Sequence, residues 1–385
     1  MRSWLAAALT VLLLPGCAWF QSWGEDDPNA PAELVDFTPT LETREIWSTK
    51  VGDGADRRGM QLWPVYASGT IYAAGHEGRL VAVGSETGER RWDVDTELPF
   101  SGGPGIGDSL LVVGTQDAEV HAFDINDGTR EWSARVSSEV LAAPAVSEGV
   151  VVVRCIDGRI FGLDERNGAR LWIYDHSTPL LTLRGNSPPL VRAGAVFIGY
   201  DGGDVVALRL SDGARLWEQE LVSPDGRTEL ERLADIDGQM VFVASDLLVS
   251  SYKNRLASLA ADSGRLLWFK DIASATGVVV DRTNLAVSDA DGSVWLLDRR
   301  NGSTLWKQDA LERRGLTRPT IYTNYVVVGD AEGYLHWMDL ETGRFVARDK
   351  LGGKGIAAPP VSVGTTLFVI TRSGELKAFR AGAAI

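Results

Sequence analysis

The segment from Gly158 to Trp172, GRIFGLDERNGARLW, contains the features that decide the fold of this chain. Its apolar first half is followed by Asp164 and, four residues later, by Gly168. This spacing is typical of a tight hairpin, because Gly takes the positive φ that such turns need and the short Asp side chain can bond to the turn backbone. The segment therefore predicts two antiparallel strands, of which the second carries the tryptophan.

The same pattern recurs along the chain from residue 43 onward. Another copy, GSVWLLDRRNGSTLW, runs from Gly292 to Trp306, and a later copy has Ala347 in place of the tryptophan. Successive tryptophans of the repeat are 38 to 51 residues apart, which is typical of β-propeller blades. We interpret them as packing residues between neighbouring blades, each burying on the order of 200 Å². The repeat tryptophans are Trp47, Trp92, Trp132, Trp172, Trp217, Trp268 and Trp306.

The number of copies predicts an all-β fold, namely an eight-bladed β-propeller of four-stranded antiparallel blades. Eight copies of the strand before the hairpin are present, but only seven copies of the strand that should follow it come after them. The missing strand is at residues 44–51, which include Trp47. We expect this N-terminal strand to complete the blade made by residues 356–380, so that the propeller domain, residues 43–381, is closed and its edges are covered.

The first 16 residues are typical of a lipoprotein signal peptide. A basic start is followed by an apolar stretch too short to span a bilayer, and the sequence LPGC at residues 14–17 resembles a lipobox. We predict that Cys17 is lipidated, that residues 17–42 form a flexible tether, and that the lipid attaches the chain to a membrane. Ala18 stands where Asp would suggest retention at the inner membrane. The prediction is therefore the outer membrane, with the protein facing the periplasm.

The composition argues against several classes of function. The net charge of −14 disfavours a nucleic-acid binder, which would normally present a basic surface. Two cysteines and four widely separated histidines predict no metal site. No Ser/His/Asp or paired-carboxylate arrangement can be recognised in the sequence, so we predict neither an enzyme nor a cofactor.

Between Trp172 and Trp268, two adjacent spans of the repeat are longer than the 40-residue norm. The first, from Trp172 to Trp217, carries LTLRG at residues 181–185, and the second, from Trp217 to Trp268, carries RLADID at residues 232–237. Both should emerge on one face, from neighbouring blades, where propellers commonly bind partners. The apolar, arginine and acidic side chains there are a mixture expected at a protein interface. The alternative is a self-packed loop with an internal Arg–Asp pair.

These two stretches, the lipobox and GDAEGYL at residues 329–335 make the sequence similar to the BamB family. Members of that family are outer-membrane lipoproteins of the β-barrel assembly machinery. The resemblance implies a scaffold that binds the periplasmic POTRA domains of BamA within the assembly complex and assists folding and insertion of outer-membrane proteins, with unfolded outer-membrane proteins as further candidate partners. It implies that the BamA-binding residues are Leu181, Leu183, Arg184, Asp235 and Asp237.

Two alternatives remain open at the level of sequence. The repeat is shared with quinoprotein dehydrogenases that use pyrroloquinoline quinone, but those enzymes resemble longer propellers with an adjacent Cys pair and a calcium site, whereas Cys155 stands alone. The second alternative is an envelope lipoprotein that binds peptidoglycan or sugar. Exposed aromatic residues outside the repeat would favour it, and the candidates are Trp63, Trp295 and Trp337.

Overall fold

The computed structural model describes residues 30–54, 60–179, 181, 187–223, 228, 233–352, 354–356 and 358–384. The elements of regular secondary structure in these residues are all β-strands. The described residues contain no helix that is long and apolar enough to cross a membrane. The signal peptide and Cys17 lie outside the described residues and stay predictions.

The strands form eight sheets, which we number as blades in chain order. Two strands precede the first complete blade: β1 (Leu41–Lys50) and β2 (Gln61–Leu62). Blade 1 contains β3 (Val65–Ala67), β4 (Thr70–Ala74), β5 (Arg79–Gly84) and β6 (Arg90–Asp95). Blade 2 contains β7 (Phe100–Ile106), β8 (Leu110–Thr115), β9 (Glu119–Asp124) and β10 (Arg130–Arg135), with β2 paired in parallel to β7.

Blades 3 to 5 repeat this arrangement without the extra strand. Blade 3 contains β11 (Ala145–Ser147), β12 (Val150–Arg154), β13 (Ile160–Asp164) and β14 (Arg170–Tyr174). Blade 4 contains β15 (Leu190–Arg192), β16 (Ala195–Gly199), β17 (Asp204–Arg209) and β18 (Arg215–Glu220). Blade 5 contains β19 (Val241–Val243), β20 (Asp246–Ser251), β21 (Arg255–Ala260) and β22 (Leu266–Lys270).

The last three blades bring the chain back to its start. Blade 6 contains β23 (Val278–Val280), β24 (Asn284–Ser288), β25 (Val294–Asp298) and β26 (Thr304–Gln308). Blade 7 contains β27 (Thr320–Tyr322), β28 (Tyr325–Gly329), β29 (Tyr334–Asp339) and β30 (Phe345–Lys350). Blade 8 contains β31 (Val361–Val363), β32 (Thr366–Ile370) and β33 (Glu375–Ala384), and its fourth strand is β1.

The ring closes as the sequence predicts. The first strand of each blade contacts the first strands of both neighbours, and the contact of β31 with β3 completes the circle. Strand β1 pairs antiparallel with β33 from Leu41 opposite Ala384 to Lys50 opposite Glu375. The eight-bladed, all-β prediction and the role of the N-terminal strand are therefore confirmed, with a closing pair slightly longer than the predicted bounds of 43 and 381.

Each repeat tryptophan packs on the hairpin glycine of the following blade. A Cβ atom added at any of these glycines would lie 2.5–2.9 Å from an indole carbon, so no side chain fits. Six of the seven indoles also donate a hydrogen bond to a backbone carbonyl of that hairpin; Trp268 has no such partner among the described residues. The pairs are Trp47–Gly88, Trp92–Gly128, Trp132–Gly168, Trp172–Gly213, Trp217–Gly264, Trp268–Gly302 and Trp306–Gly343.

The exception at Ala347 has a structural reason. A tryptophan in β30 would need the corresponding hairpin of blade 8, but β33 and β1 are the two ends of the ring and no hairpin joins them. The segment before β1 lies here instead: the Thr40 amide donates to the Val346 carbonyl, and Phe37 stacks on Phe345 with ring centroids 5.6 Å apart. The described part of the predicted tether is thus held by blade 7.

The predicted flexible tether therefore needs a correction over residues 31–40. The Ala32 amide donates to the Glu312 carbonyl, and Arg314 donates in return to the Ala32 carbonyl at 2.8 Å. Further along, Arg348 donates to the Val35 carbonyl at 3.0 Å. Composition suggested a spacer because the segment lacks periodicity, but its backbone groups find partners on blade 7 that the local sequence does not reveal.

Candidate functional site

The two long spans correspond to two connections between neighbouring blades. The first long connection, residues 175–189, joins β14 to β15, and the second long connection, residues 221–240, joins β18 to β19. Their described parts meet, because the Ser187 hydroxyl donates to the Gly238 carbonyl at 3.0 Å. The Ile236 amide also donates to the Tyr200 carbonyl of blade 4. The structure therefore brings together two segments that the sequence placed on one face.

The second long connection contributes two members of a group of buried carboxylates, which we call the acid cluster: Asp201, Asp235 and Asp237. One oxygen of each lies within 4.8 Å of the others, and the residues are 5%, 0% and 5% exposed, respectively. Asp201 forms an ion pair with the buried Arg154 at 2.9 Å, and Arg154 also donates to the Ser187 carbonyl at 3.3 Å. The cluster thus joins blade 3, blade 4 and both long connections.

The acid cluster holds a carboxyl group with a perturbed pKa. Burial, together with the neighbouring Asp235 and Asp201, raises the pKa of Asp237 to about 8, against the attraction of Arg154. The reason is that desolvation and nearby negative charge both disfavour the ionised form. Burial also raises the pKa of Tyr200, whose ring lies beside the Arg154 guanidinium. Asp237 is therefore protonated over much of the pH range in which exposed aspartates are charged.

Stability should consequently depend on the protonation of Asp237. In the unfolded chain an aspartate has a pKa near 3.9, so between about pH 4 and pH 8 the folded state holds a proton that the unfolded state has released. We expect the free energy of unfolding to fall as the pH rises through this window. In D237N the fall from pH 5 to pH 8 should be smaller by at least about 1 kcal/mol, as measured by urea unfolding.

The exposed Asp117 supplies the control for this experiment, since D117N removes one carboxylate without touching the acid cluster. D117N should retain the pH dependence of the wild type. An identical pH dependence in D237N and the wild type would show that Asp237 ionises normally in the folded protein.

Of the predicted site residues that the structure describes, one is exposed and two are buried. Leu181 is 44% exposed and can contact a partner. Asp235 and Asp237 are buried, so the expectation that they form an acidic pair at an interface is wrong as to exposure. The Arg154–Asp201 ion pair lies outside both long connections, and the arginines of the two stretches lie outside the described residues, so the Arg–Asp pair of the self-packed alternative stays untested. Leu183 and Arg184 lie outside the described residues.

Sequence reasoning missed Arg154 and Asp201. Arg154 ends a run of four valines in β12, where a charged residue is unusual, and this break in the apolar pattern was the available signal. Asp201 stands in a turn after β16, in a context shared by acidic turn residues of other blades, and the local sequence does not distinguish it.

A second group of ligand-type side chains lies beside the first long connection. His176 stacks on Tyr200 with ring centroids 3.9 Å apart, and its Nε2 lies 3.3 Å from Glu218, with Asp204 close by. In both this group and the acid cluster one carboxylate already binds an arginine: Glu218 binds Arg215, and Asp201 binds Arg154. The acidic groups are thus at least partly neutralised by the protein itself.

The aromatic residues of the sugar-binding alternative do not form a common surface. Trp337 is fully buried and donates to Asp349, and Trp295 is half-buried, with its Nε1 bonded to Asp289. Trp63 is half-buried in the segment between β2 and β3, next to the connections that lead into blades 6, 7 and 8. Cys155 is fully buried in the core between blades 2 and 3, as the sequence suggested.

The comparisons with known proteins agree with this architecture. A family model described as outer membrane protein assembly factor BamB matches residues 76–308. The chain belongs to the BamB family. BamB of Pseudomonas aeruginosa is 47% identical, with 98% of this chain and 99% of the relative covered, and BamB of Escherichia coli is 36% identical with 97% of both covered. The predicted resemblance is confirmed.

Solved structures extend the comparison to the fold. BamB from Moraxella catarrhalis covers 88% of this chain and 100% of its own, with a TM-score of 0.80 and 28% identity. A europium-containing methanol dehydrogenase gives a TM-score of 0.72 at 13% identity, covering 88% of this chain and 93% of its own. At that identity the likeness shows a shared fold and nothing about the chemistry.

Proposed function

We propose that this member of the BamB family is a non-enzymatic scaffold that assists the assembly of outer-membrane proteins and binds the periplasmic POTRA domains of BamA. The names of its relatives support the assembly role. The relatives from Pseudomonas aeruginosa and Escherichia coli are named as outer membrane protein assembly factors, and the match covers nearly their whole length. We also propose a lipid anchor at Cys17 in the outer membrane, with the propeller facing the periplasm.

One observation carries the proposed binding surface: Arg154 and the acid cluster join the described parts of the two long connections to blades 3 and 4, while Leu181 is exposed. An exposed leucine can serve as an apolar anchor that becomes buried on binding, which favours affinity. Leu181, Leu183 and Arg184 would contact BamA. Asp235 and Asp237 would act through the shape of the connections, because buried side chains cannot reach a partner without rearrangement.

The proposal predicts a strong effect of L181D on the capture of the full chain, purified in detergent, by immobilised POTRA domains of BamA. An aspartate at an apolar anchor removes buried contact area and introduces an uncompensated charge, so we expect at least tenfold weaker binding. Binding would be measured by surface plasmon resonance.

Leu216 offers a matched control, since it is an equally exposed leucine on β18, 47% against 44% for Leu181, and lies outside both long connections. L216D should bind within twofold of the wild type. Full binding by L181D would refute the proposed surface, whereas no capture of the wild-type chain would refute the scaffold proposal itself.

A further inference from the structure

A cavity of about 170 Å³ lies between the connections that lead into blades 1, 6, 7 and 8. We call it the mouth cavity. Its wall contains Gln61 and Trp63 before blade 1, Arg318 before blade 7, and Arg372 in the turn after β32. By volume it could hold about five or six water molecules, or one small organic molecule. It is formed by other blades than those that carry the two long connections.

Arg318 lines this cavity, and no carboxylate among the described residues pairs with it. Its Nη1 donates to the Val278 carbonyl at 3.3 Å, while its Nε is shielded from solvent and has no hydrogen-bond partner. Among the described residues no carboxylate forms an ion pair with it, and burial alone lowers the pKa of Arg318 to about 10. A guanidinium carries five N–H donors, and a buried charge is costly unless it is paired.

Two fully buried arginines of this fold are paired with carboxylates. Arg154 pairs with Asp201 at 2.9 Å, and Arg314 pairs with Asp330 at 2.8 Å. Both obtain a carboxylate from the chain itself. Arg318 has none among the described residues and lines a cavity, which is the arrangement expected when the carboxylate belongs to a ligand.

The remaining walls restrict the kind of ligand. Arg372 adds a second positive side chain, and the indole of Trp63 together with Leu316 and Ile356 supplies an apolar side. The Oε1 atom of Gln61 is buried and has no hydrogen-bond partner among the described residues, so a donor on the ligand would satisfy it. The cavity therefore combines a cationic side with an aromatic and aliphatic one.

We propose that the mouth cavity binds a small organic carboxylate, with Arg318 donating to the carboxylate and Trp63 covering the apolar part of the ligand. This site is separate from the proposed BamA-binding surface, so either proposal can fail without the other. Loss of the mouth cavity should leave capture by the POTRA domains unchanged.

The test is calorimetric titration of the full chain in detergent with benzoate, acetate and inorganic phosphate. Benzoate offers a carboxylate with an aromatic body, acetate lacks the body, and phosphate lacks both the carboxylate and the body. We expect saturable binding of benzoate that is at least tenfold tighter than that of acetate. Binding of phosphate without binding of benzoate, or no binding of benzoate at all, would overturn the proposal.

Variants assign the binding to the cavity. R318Q should weaken benzoate binding at least tenfold, whereas R282Q, which removes an exposed arginine of blade 6, should not change it. W63L should reduce the preference for benzoate over acetate. Equal benzoate binding by R318Q and the wild type would overturn the proposal.

Thermal unfolding distinguishes a variant that has lost binding from one that has lost stability. Because the uncompensated charge destabilises the empty protein, R318Q should unfold at the same or a higher temperature than the wild type in buffer without carboxylates. Benzoate should raise the unfolding temperature of the wild type but not that of R318Q. An R318Q variant that is much less stable than the wild type would mean that Arg318 is a structural residue, and would overturn the proposal.

Discussion

Deletion of residues 41–50 is expected to abolish cooperative folding of the entire propeller. This segment, β1, supplies the outermost strand of blade 8, and Trp47 supplies the contact of that blade with Gly88 of blade 1. Loss of a core tryptophan alone costs about 3–5 kcal/mol, and whole domains are stable by about 5–15 kcal/mol. The deletion also exposes β33 as an unpaired edge. The expected result is aggregation or proteolysis, measured by limited trypsin digestion and thermal unfolding.

A circular permutant tests whether the unfolding is caused by the loss of β1 pairing and not by the shortening of the chain. Leu41 lies opposite Ala384, so a short linker can join the two ends, and the chain can be opened at Gly149 in the turn between β11 and β12, where an added Cβ would meet nothing within 4 Å. This permutant keeps β1 and should fold. A deletion variant that unfolds cooperatively within a few degrees of the wild type would contradict the proposed closure.

A single methyl group at Gly213 is expected to destabilise the ring by about 2–5 kcal/mol. Gly213 has φ +70°, and an added Cβ would lie 2.6 Å from the indole of Trp172. The left-handed conformation costs a non-glycine residue about 1–2 kcal/mol, and overpacking a rigid contact adds about 1–3 kcal/mol. The free energy of unfolding of G213A, measured in urea, gives the total.

Gly194 in the same blade separates the two contributions. Its φ is +71°, but a Cβ there would meet nothing within 4 Å, so G194A should suffer only the conformational cost. The difference between G213A and G194A measures the contact with Trp172. Equal destabilisation by the two substitutions would mean that the indole moves aside and that the close packing contributes little.

The repeat could be recognised from the sequence because its turn residues and its tryptophan recur at fixed offsets. Asp164, Gly168 and Trp172 define strand, hairpin and strand within one short segment, and local chemistry suffices for that. The hairpin glycine also leaves room for a tryptophan, and local sequence could not show this. Gly168 contacts Trp132, which belongs to the preceding blade. Contacts between repeats depend on the tertiary arrangement of the blades.

The candidate site was predicted in its location but not in its chemistry. Acidic residues are seldom fully buried, so Asp235 and Asp237 in a polar segment suggest an exposed pair. Their environment depends on Arg154, which attracts the Asp237 carboxylate, and on Asp201, which repels it; both are remote in sequence. Likewise, the residues near Arg318 in the sequence do not indicate that it has no carboxylate partner among the described residues.

The missing tryptophan of β30 has a mechanical consequence. Any tension on the N-terminus reaches the contacts of Ala32 and Val35 with blade 7 before it reaches β1. A pull directed along β1 then loads its pairing with β33 in shear, so several hydrogen bonds share the load. The seam of the ring, which lacks one indole contact, is thus reinforced on both sides against a pull from its own N-terminal segment.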